Sequence, residues 1–110
     1  MEVGMIEFQF FRGCPHSEKT LKNLMSLVVE GFLKENEIVI KEVSDPETAQ
    51  KLKFLGSPTI LVDGYDIYTE RLPETFNFSC RIYNLNGLQT GVLPKEFIKT
   101  QIEKLKARVR

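Results

Sequence analysis

The change of hydrophobic period around residues 10–24, "FFRGCPHSEKTLKNL", constrains the fold of this 110-residue chain more than any other stretch. Just before it, residues 5–11 ("MIEFQFF") alternate and are rich in aromatic side chains, which predicts a β-strand. After it, apolar residues recur at helical spacing and predict a helix over about 15–34, with Pro15 suited to the first turn. The residues of this apolar stripe are Leu21, Leu24, Met25, Val28 and Phe32. The sequence therefore predicts a strand that passes directly into a helix.

The alternation of strands and helices continues through the middle of the chain. Residues 37–43 ("EIVIKEV") are rich in β-branched side chains and predict a second strand. Asp45 as N-cap and Pro46 at the first helical position then predict a short helix, which Gly56 would end. Residues 58–64 ("PTILVDG") predict a third strand whose final Asp-Gly pair is a strong hairpin signal.

The last third of the chain has a weaker pattern. Residues 65–79 ("YDIYTERLPETFNFS") show no sustained period and predict an extended loop, and residues 80–87 ("CRIYNLNG") predict the returning strand, with a turn at Asn86-Gly87. A closing helix starts near Pro94. Its apolar face comprises Phe97, Ile98, Ile102, Leu105 and Val109. The order β-α-β-α-β-β-α predicts a single α/β domain over residues 1–110, with a mixed four-stranded sheet and three helices.

Charge and hydropathy exclude several classes of protein. Fifteen basic residues balance fifteen acidic ones, so the net charge gives no reason to expect binding to nucleic acid or to an anionic membrane. The apolar runs are interrupted by charges and are far shorter than the about 20 residues that span a bilayer. The N-terminal residues have neither a basic region nor a small-residue cleavage site, so we expect no signal peptide and a cytoplasmic location. The sequence leaves the oligomeric state open.

Two cysteines, Cys14 and Cys80, are the candidate reactive groups. A thiol at a helix N-terminus faces unpaired N–H groups and the positive end of the helix dipole, and both favour the thiolate. Such surroundings lower the pKa of cysteine from about 8.5 to between roughly 3.5 and 7.5. His16, the only histidine, would also favour the thiolate when protonated. The alternative for each cysteine is a small buried apolar residue, and the spacing of the two does not decide whether they meet.

The sequence contains the motifs "GCPHS" (residues 13–17) and "GSPTILVDG" (residues 56–64). Together with the order of helices and strands, these motifs resemble the thioredoxin superfamily and its glutaredoxin-like small bacterial members. The first resembles the C-P-Y-C/S motif of glutaredoxins and the C-P-H-C motif of periplasmic disulfide oxidases, with Ser17 in place of the second cysteine. The second lies where the superfamily has its cis-proline. The resemblance covers nearly the whole chain except residues 65–79. It implies a thioredoxin-like fold with Cys14 as the catalytic thiol and a cis Pro58 beside it.

The resemblance also implies where a substrate would bind. The backbone of Ser57 and Thr59, on either side of the cis-proline, would be free to pair with an extended peptide or with glutathione. Ser17 would cap the helix or donate its hydroxyl to the thiolate. The Gly-Gly motif that binds glutathione is missing after the third strand, and Arg12 compensates in part. The substrate-binding residues expected from these considerations are Arg12, Pro15, His16, Ser17, Ser57, Pro58 and Thr59.

Because Ser17 cannot form a disulfide with Cys14, three chemistries stay open. Cys14 alone would run a monothiol cycle with glutathione as co-substrate. Alternatively, Cys80 would act as a distant resolving thiol and join Cys14 as a catalytic residue. The third possibility is a non-catalytic binding or scaffold protein, in which both cysteines hold a soft metal ion. A structural zinc site usually has four ligands, whereas this chain has three soft candidates, Cys14, Cys80 and His16, so metal binding is the weaker option. We expect no resident metal and no cofactor. The expected partners are protein thiols or glutathione.

Overall fold

The computed structural model of the chain describes residues 5–109. Residues 1–4, which the prediction about a signal peptide partly concerned, lie outside the described part. So does the side chain of Val109, which was predicted to lie on the apolar face of the closing helix. Within these residues there are nine α-helices and β-strands, besides a short 3-10 helix at Glu35–Glu37, and they follow the predicted order for most of the chain. They are β1 (Ile6–Phe10), α1 (Pro15–Val29), β2 (Ile38–Glu42), α2 (Pro46–Leu52), β3 (Thr59–Val62), β4 (Tyr65–Asp66), β5 (Tyr83–Leu85), β6 (Leu88–Thr90) and α3 (Lys95–Val109).

The central sheet is mixed and four-stranded, as predicted, with the strand order β2-β1-β3-β4. β1 runs parallel to β2 and antiparallel to β3, so α1 serves as the crossover that a parallel pair requires. β3 and β4 form a hairpin. Its turn residues Asp63 and Gly64 have φ values of 52° and 88°, the left-handed conformation that an Asp-Gly turn adopts.

The prediction for the fourth strand was wrong. Residues 80–87 do not return to the sheet, because the turn at Asp63-Gly64 brings β4 directly alongside β3 and fills that position first. β5 and β6 instead form a separate two-stranded sheet. The predicted turn at Asn86-Gly87 is confirmed as their connection, with φ values of 55° and 89°.

Two predicted helix ends were also wrong. α1 ends at Val29 rather than near residue 34, because the chain folds back and the Phe32 and Leu33 amides both donate to the carbonyl oxygen of Leu27. α2 ends at Leu52, where Lys53 takes the left-handed conformation, and not at Gly56. The start of α2 is confirmed: the Asp45 carboxylate accepts a hydrogen bond of 2.7 Å from the Thr48 amide.

The main hydrophobic core packs α1 and α3 against the sheet, which fixes the N-terminus of α1 relative to β1 and β3. Its largest members from the sheet are Phe8 and Ile60, and α3 contributes Ile98, Ile102 and Leu105. A smaller cluster of Val43, Ala49 and Phe54 holds α2. Among the described helices, none is both long and apolar enough to cross a membrane.

Candidate thiol site

Cys14 is the N-cap residue of α1 and lies just after β1. Its backbone is extended, Pro15 follows at the first helical position, and no side-chain oxygen caps this helix end. No side chain therefore caps the amides of the first turn, and the Ser17 amide donates to the Cys14 carbonyl at 3.4 Å. The amides of His16 and Ser17 lie close enough to the sulfur of Cys14 to favour its thiolate.

Opposing effects act on the pKa of the Cys14 thiol. Burial, which leaves the residue 6% exposed, raises it. Hydrogen bonds from the Ser57 hydroxyl, the His16 amide, the Cys80 thiol and the Ser17 amide lower it. Together the hydrogen bonds outweigh burial, so the pKa of Cys14 lies below the ordinary value of a cysteine. This result supports the expectation of an activated thiol at this helix end.

The second cysteine meets the first. The Sγ atom of Cys80 lies 3.5 Å from the Sγ atom of Cys14, and its thiol is oriented as a donor toward that sulfur. Cys80 is exposed, whereas Cys14 is buried. Although Cys80 is exposed, partial desolvation of its thiol raises its pKa, as do the hydrogen bond to Cys14 and the charge of a Cys14 thiolate. The pair is therefore asymmetric, with the negative charge favoured on Cys14 and the proton on Cys80.

The segment that carries Cys80 pairs with the backbone of Ser57. The Ser57 amide donates to the carbonyl of Ser79 at 2.9 Å, and the Arg81 amide donates to the carbonyl of Ser57 at 2.9 Å. Cys80 thus lies opposite Ser57 in a parallel bridge. The expectation that the Ser57 backbone is free for an extended substrate is wrong, because the chain's own segment occupies both of its hydrogen-bonding groups.

The residues after Ser57 are buried. The Ser57–Pro58 peptide bond is cis, as the resemblance implied, and the Pro58 carbonyl accepts a hydrogen bond from the Tyr83 hydroxyl. Thr59 is fully buried in β3, and its backbone lies beside Gln9 of β1. Its Oγ1 donates to the Gly56 carbonyl and accepts from Arg81. Thr59 was expected to bind substrate, but it is enclosed within the fold.

Three other predicted residues have different contacts from those expected. The Ser17 hydroxyl donates to the carbonyl of Cys14 at 2.9 Å and not to its sulfur, so Ser17 favours the thiolate through its amide alone. The His16 ring packs closely against Gly91, and His16 reaches the sulfur through its backbone. Arg12 is 82% exposed and forms an ion pair of 3.1 Å with Glu42.

A groove of about 420 Å³ borders Cys14 between β1, β2 and α1. Cys14, Pro15 and Ser17 line one part of it, and Arg12 and Glu18 contribute charged groups. Its apolar lining comprises Phe8, Phe10, Phe11, Leu21 and Ile40. The groove is large enough for a small molecule or a short peptide side chain beside Cys14. Of the predicted binding residues, Arg12, Pro15 and Ser17 line this groove.

The sequence analysis missed a buried ion pair beneath the Cys80 segment. The Arg81 guanidinium donates two hydrogen bonds of 2.8 Å to the carboxylate of Asp66, which is fully buried. The carbon atom of this guanidinium lies 4.6 Å from the ring centre of Tyr83 and 5.6 Å from that of Tyr68. The sequence signal that could have indicated this ion pair is the arginine directly after the cysteine in "SCRIY". No comparable signal marked Asp66, because it lies in the stretch that was predicted to be a loop.

Within residues 5–109, no three or more histidine, cysteine, aspartate or glutamate side chains converge as a group that could hold a metal ion. Comparison with known proteins adds no relative: no family model, no curated protein and no solved structure matches this chain. The resemblance to the thioredoxin superfamily therefore depends on the two motifs and on the geometry around Cys14.

Proposed function

We propose that this chain is a thioredoxin-like thiol–disulfide oxidoreductase in which Cys14 is the nucleophile and Cys80 the resolving thiol. The observation that supports this most directly is the 3.5 Å separation of their Sγ atoms, combined with pKa shifts of opposite sign. A thiolate is the attacking species in disulfide exchange, and the residue with the lowered pKa is the one at the helix N-terminus.

The thioredoxin-like fold is part of this proposal. The crossover from β1 through α1 to β2, the antiparallel pair of β3 and β4, and the closing helix α3 all support it. The cis-proline preceding β3 and the cysteine preceding α1 lie close together, since the Cys14 sulfur is 3.5 Å from the carbonyl oxygen of Ser57. This arrangement is the one that the resemblance implied.

In the first step, the Cys14 thiolate attacks one sulfur of a substrate disulfide. The S–S bond of the substrate breaks as the Cys14–substrate bond forms, and the released sulfur leaves as a thiolate that takes a proton from solvent. In the second step Cys80 loses its proton, and its sulfur attacks the sulfur of Cys14. The remaining half of the substrate leaves as a second thiol. The substrate disulfide has then been reduced by two electrons, and the protein holds a Cys14–Cys80 disulfide.

A second dithiol or two molecules of glutathione would return the protein to its reduced form, by attacking the Cys14–Cys80 disulfide and becoming oxidised themselves. Forming the internal bond requires the two sulfurs to approach from 3.5 Å to about 2 Å. The exposure of Cys80 suits this role, because the reductant needs access to one sulfur of the disulfide.

Peptide mapping across glutathione redox buffers, with free thiols alkylated at each step, tests the proposal. The wild type is expected to form a Cys14–Cys80 disulfide as the buffer becomes more oxidising. Cys80→Ser is expected to accumulate a Cys14–glutathione adduct instead, because the resolving thiol is missing. If the wild type accumulates the glutathione adduct and forms no internal disulfide, the protein uses the monothiol cycle instead. A Cys14 that stays free in every buffer would contradict redox chemistry altogether.

The convergence of two thiols also favours a second candidate function, the binding of a soft cation such as Cu(I). Two thiolates are a sufficient ligand set only for a cation of low coordination number, and the described residues offer no larger cluster around them. Anaerobic titration with Cu(I) tests it: stoichiometric binding should disappear in both Cys14→Ser and Cys80→Ser. Binding that survives either substitution would exclude the thiol pair as the site.

A further inference from the structure

We propose that Arg81 is the positioning residue that holds Cys80 against Cys14, acting through the buried carboxylate of Asp66. This inference rests on the proposed role of Cys80 as resolving thiol and adds the residue that places it. Arg81 touches neither sulfur; it acts by fixing the backbone that carries Cys80.

The segment around Cys80 is held mainly on either side of the thiol. Residues 74–80 and Ile82 are all exposed, and Arg81 alone among residues 74–82 is partly buried. Before Cys80, the ring of Phe78 packs against that of Phe11 at 5.3 Å between ring centres, and the Ser79 carbonyl accepts a hydrogen bond from Ser57. After Cys80, Arg81 is the one side chain of the segment that is enclosed, so its contacts fix the C-terminal side of the thiol.

Arg81 contacts two strands and the residue before the cis-proline. Its two 2.8 Å hydrogen bonds reach Asp66 on β4, and a third of 3.1 Å reaches Thr59 Oγ1 on β3. Its amide donates to Ser57, the residue whose carbonyl oxygen also lies 3.5 Å from the Cys14 sulfur. The guanidinium and the backbone of Arg81 thus tie the Cys80 segment to β3, to β4 and to Ser57, which contacts Cys14.

The geometry requires an arginine. The planar guanidinium matches a carboxylate with two parallel hydrogen bonds and stacks on aromatic rings, whereas a lysine ammonium offers a point charge. The ring centres of Tyr83 and Tyr68 lie 4.6 and 5.6 Å from the guanidinium carbon and complete its enclosure. Arg81→Lys therefore keeps the positive charge that pairs with Asp66 but removes the two parallel hydrogen bonds that orient the side chain.

The test measures the equilibrium constant between the reduced protein and its Cys14–Cys80 disulfide in glutathione buffers. Arg81→Lys is expected to lower this constant at least about tenfold, because a less fixed Cys80 segment lowers the effective concentration of its thiol at Cys14. The Cys14–glutathione adduct should rise correspondingly. Arg108→Lys is the matched control, since Arg108 also pairs with a carboxylate, Glu70, and lies 5.9 Å from the ring of Tyr65, yet none of these residues contacts either cysteine.

A second variant keeps the proposal testable if Arg81→Lys fails to fold. The pair Asp66→Asn with Arg81→Gln removes both charges, so no unpaired ion is left buried, and it should lower the constant in the same way. If either folded variant keeps the wild-type constant, Arg81 is only a stabilising residue and the proposal is overturned. If the wild type itself forms no Cys14–Cys80 disulfide, the proposed function fails independently of Arg81.

Discussion

The sulfur atoms of Cys14 and Cys80 lie 3.5 Å apart although 66 positions separate the two residues in the sequence. Ser17 stands where a local C-x-x-C motif would have its second cysteine. The partner thiol comes instead from an exposed segment that pairs with the backbone of Ser57. A distant cysteine thereby reaches the position that the resemblance assigned to a substrate.

The first prediction concerns the pKa of Cys14. Its alkylation rate should rise as the pH rises through its pKa and level off above it, because only the thiolate reacts. The midpoint should lie below the free-cysteine value of about 8.5, and it should move upward in Ser57→Ala, which loses a hydroxyl that lowers the pKa of Cys14. Measuring the rate in Cys80→Ala and Cys80→Ala/Ser57→Ala isolates Cys14 from the second thiol.

Ser17→Ala is the matched control for this measurement. Its hydroxyl bonds to the Cys14 carbonyl, and the amide that hydrogen-bonds to the sulfur is retained in the variant. The midpoint should therefore stay close to that of the same protein with Ser17. Equal shifts in the two serine variants would mean that the hydroxyl of Ser57 has no specific effect on the thiolate.

The second prediction concerns stability in the oxidised state. Closing a loop between cysteines 66 positions apart restricts the unfolded chain, and the chain-entropy model gives about 4 kcal/mol as the gain in free energy of unfolding. Denaturant titration of the oxidised and reduced wild type measures the difference. Cys80→Ser should unfold identically with and without reductant. An oxidised wild type no more stable than the reduced one would show that bond formation distorts the native backbone.

The third prediction concerns Gly56, whose φ of +117° already disfavours any other residue. A Cβ atom there would also lie 3.0 Å from the Cβ of Arg81 and 3.1 Å from the Ser79 carbonyl oxygen. Gly56→Ala should therefore lower the free energy of unfolding by about 1 to 3 kcal/mol and weaken formation of the Cys14–Cys80 disulfide. Both effects are measurable by denaturant titration and by peptide mapping.

Gly87→Ala separates these two causes. Gly87 also has a positive φ, +89°, but a Cβ atom there would meet nothing within 4 Å. The control should lose about 1 to 2 kcal/mol of stability from the backbone conformation alone and should form the disulfide normally. If both variants form it normally, the close approach of Gly56 to the Cys80 segment has no influence on the thiols.

The fourth prediction concerns the contact between Gly91 and His16. A Cβ atom at Gly91 would lie 2.2 Å from Cδ2 of the His16 ring, so Gly91→Ala must displace the first turn of α1 or the loop before α3. The variant should be less stable than the wild type by about 1 to 3 kcal/mol, and the pKa of Cys14 should rise as the His16 amide moves.

His16→Ala combined with Gly91→Ala provides the rescue, because it removes the ring that the new methyl group would meet. Stability and the Cys14 alkylation midpoint should return to those of His16→Ala alone. A double variant as impaired as Gly91→Ala would place the conflict elsewhere than at the histidine ring.

The parts of the fold that local signals encode were predictable from the sequence. Helical spacing and a well-placed proline predicted α1 and its first residue, and Asp-Gly and Asn-Gly predicted two turns. The fourth strand was not predictable in the same way. A two-residue strand such as β4 has no period of its own and exists because the turn before it presents it to the edge of β3.

The features of the candidate site also divide into those that local sequence signals predicted and those that depend on tertiary packing. The sequence alone determined that Cys14 begins a helix, since "GCPHS" lies where the period changes from strand to helix, and this position favours a thiolate by local electrostatics. Only the tertiary structure decided that Cys80 is its partner, that the Ser57 backbone is occupied and that Arg81 meets Asp66. Those contacts join the N-terminus of α1, the residue before the cis-proline, β4 and an aperiodic segment. Their formation depends on how the whole chain packs, which local sequence signals do not specify.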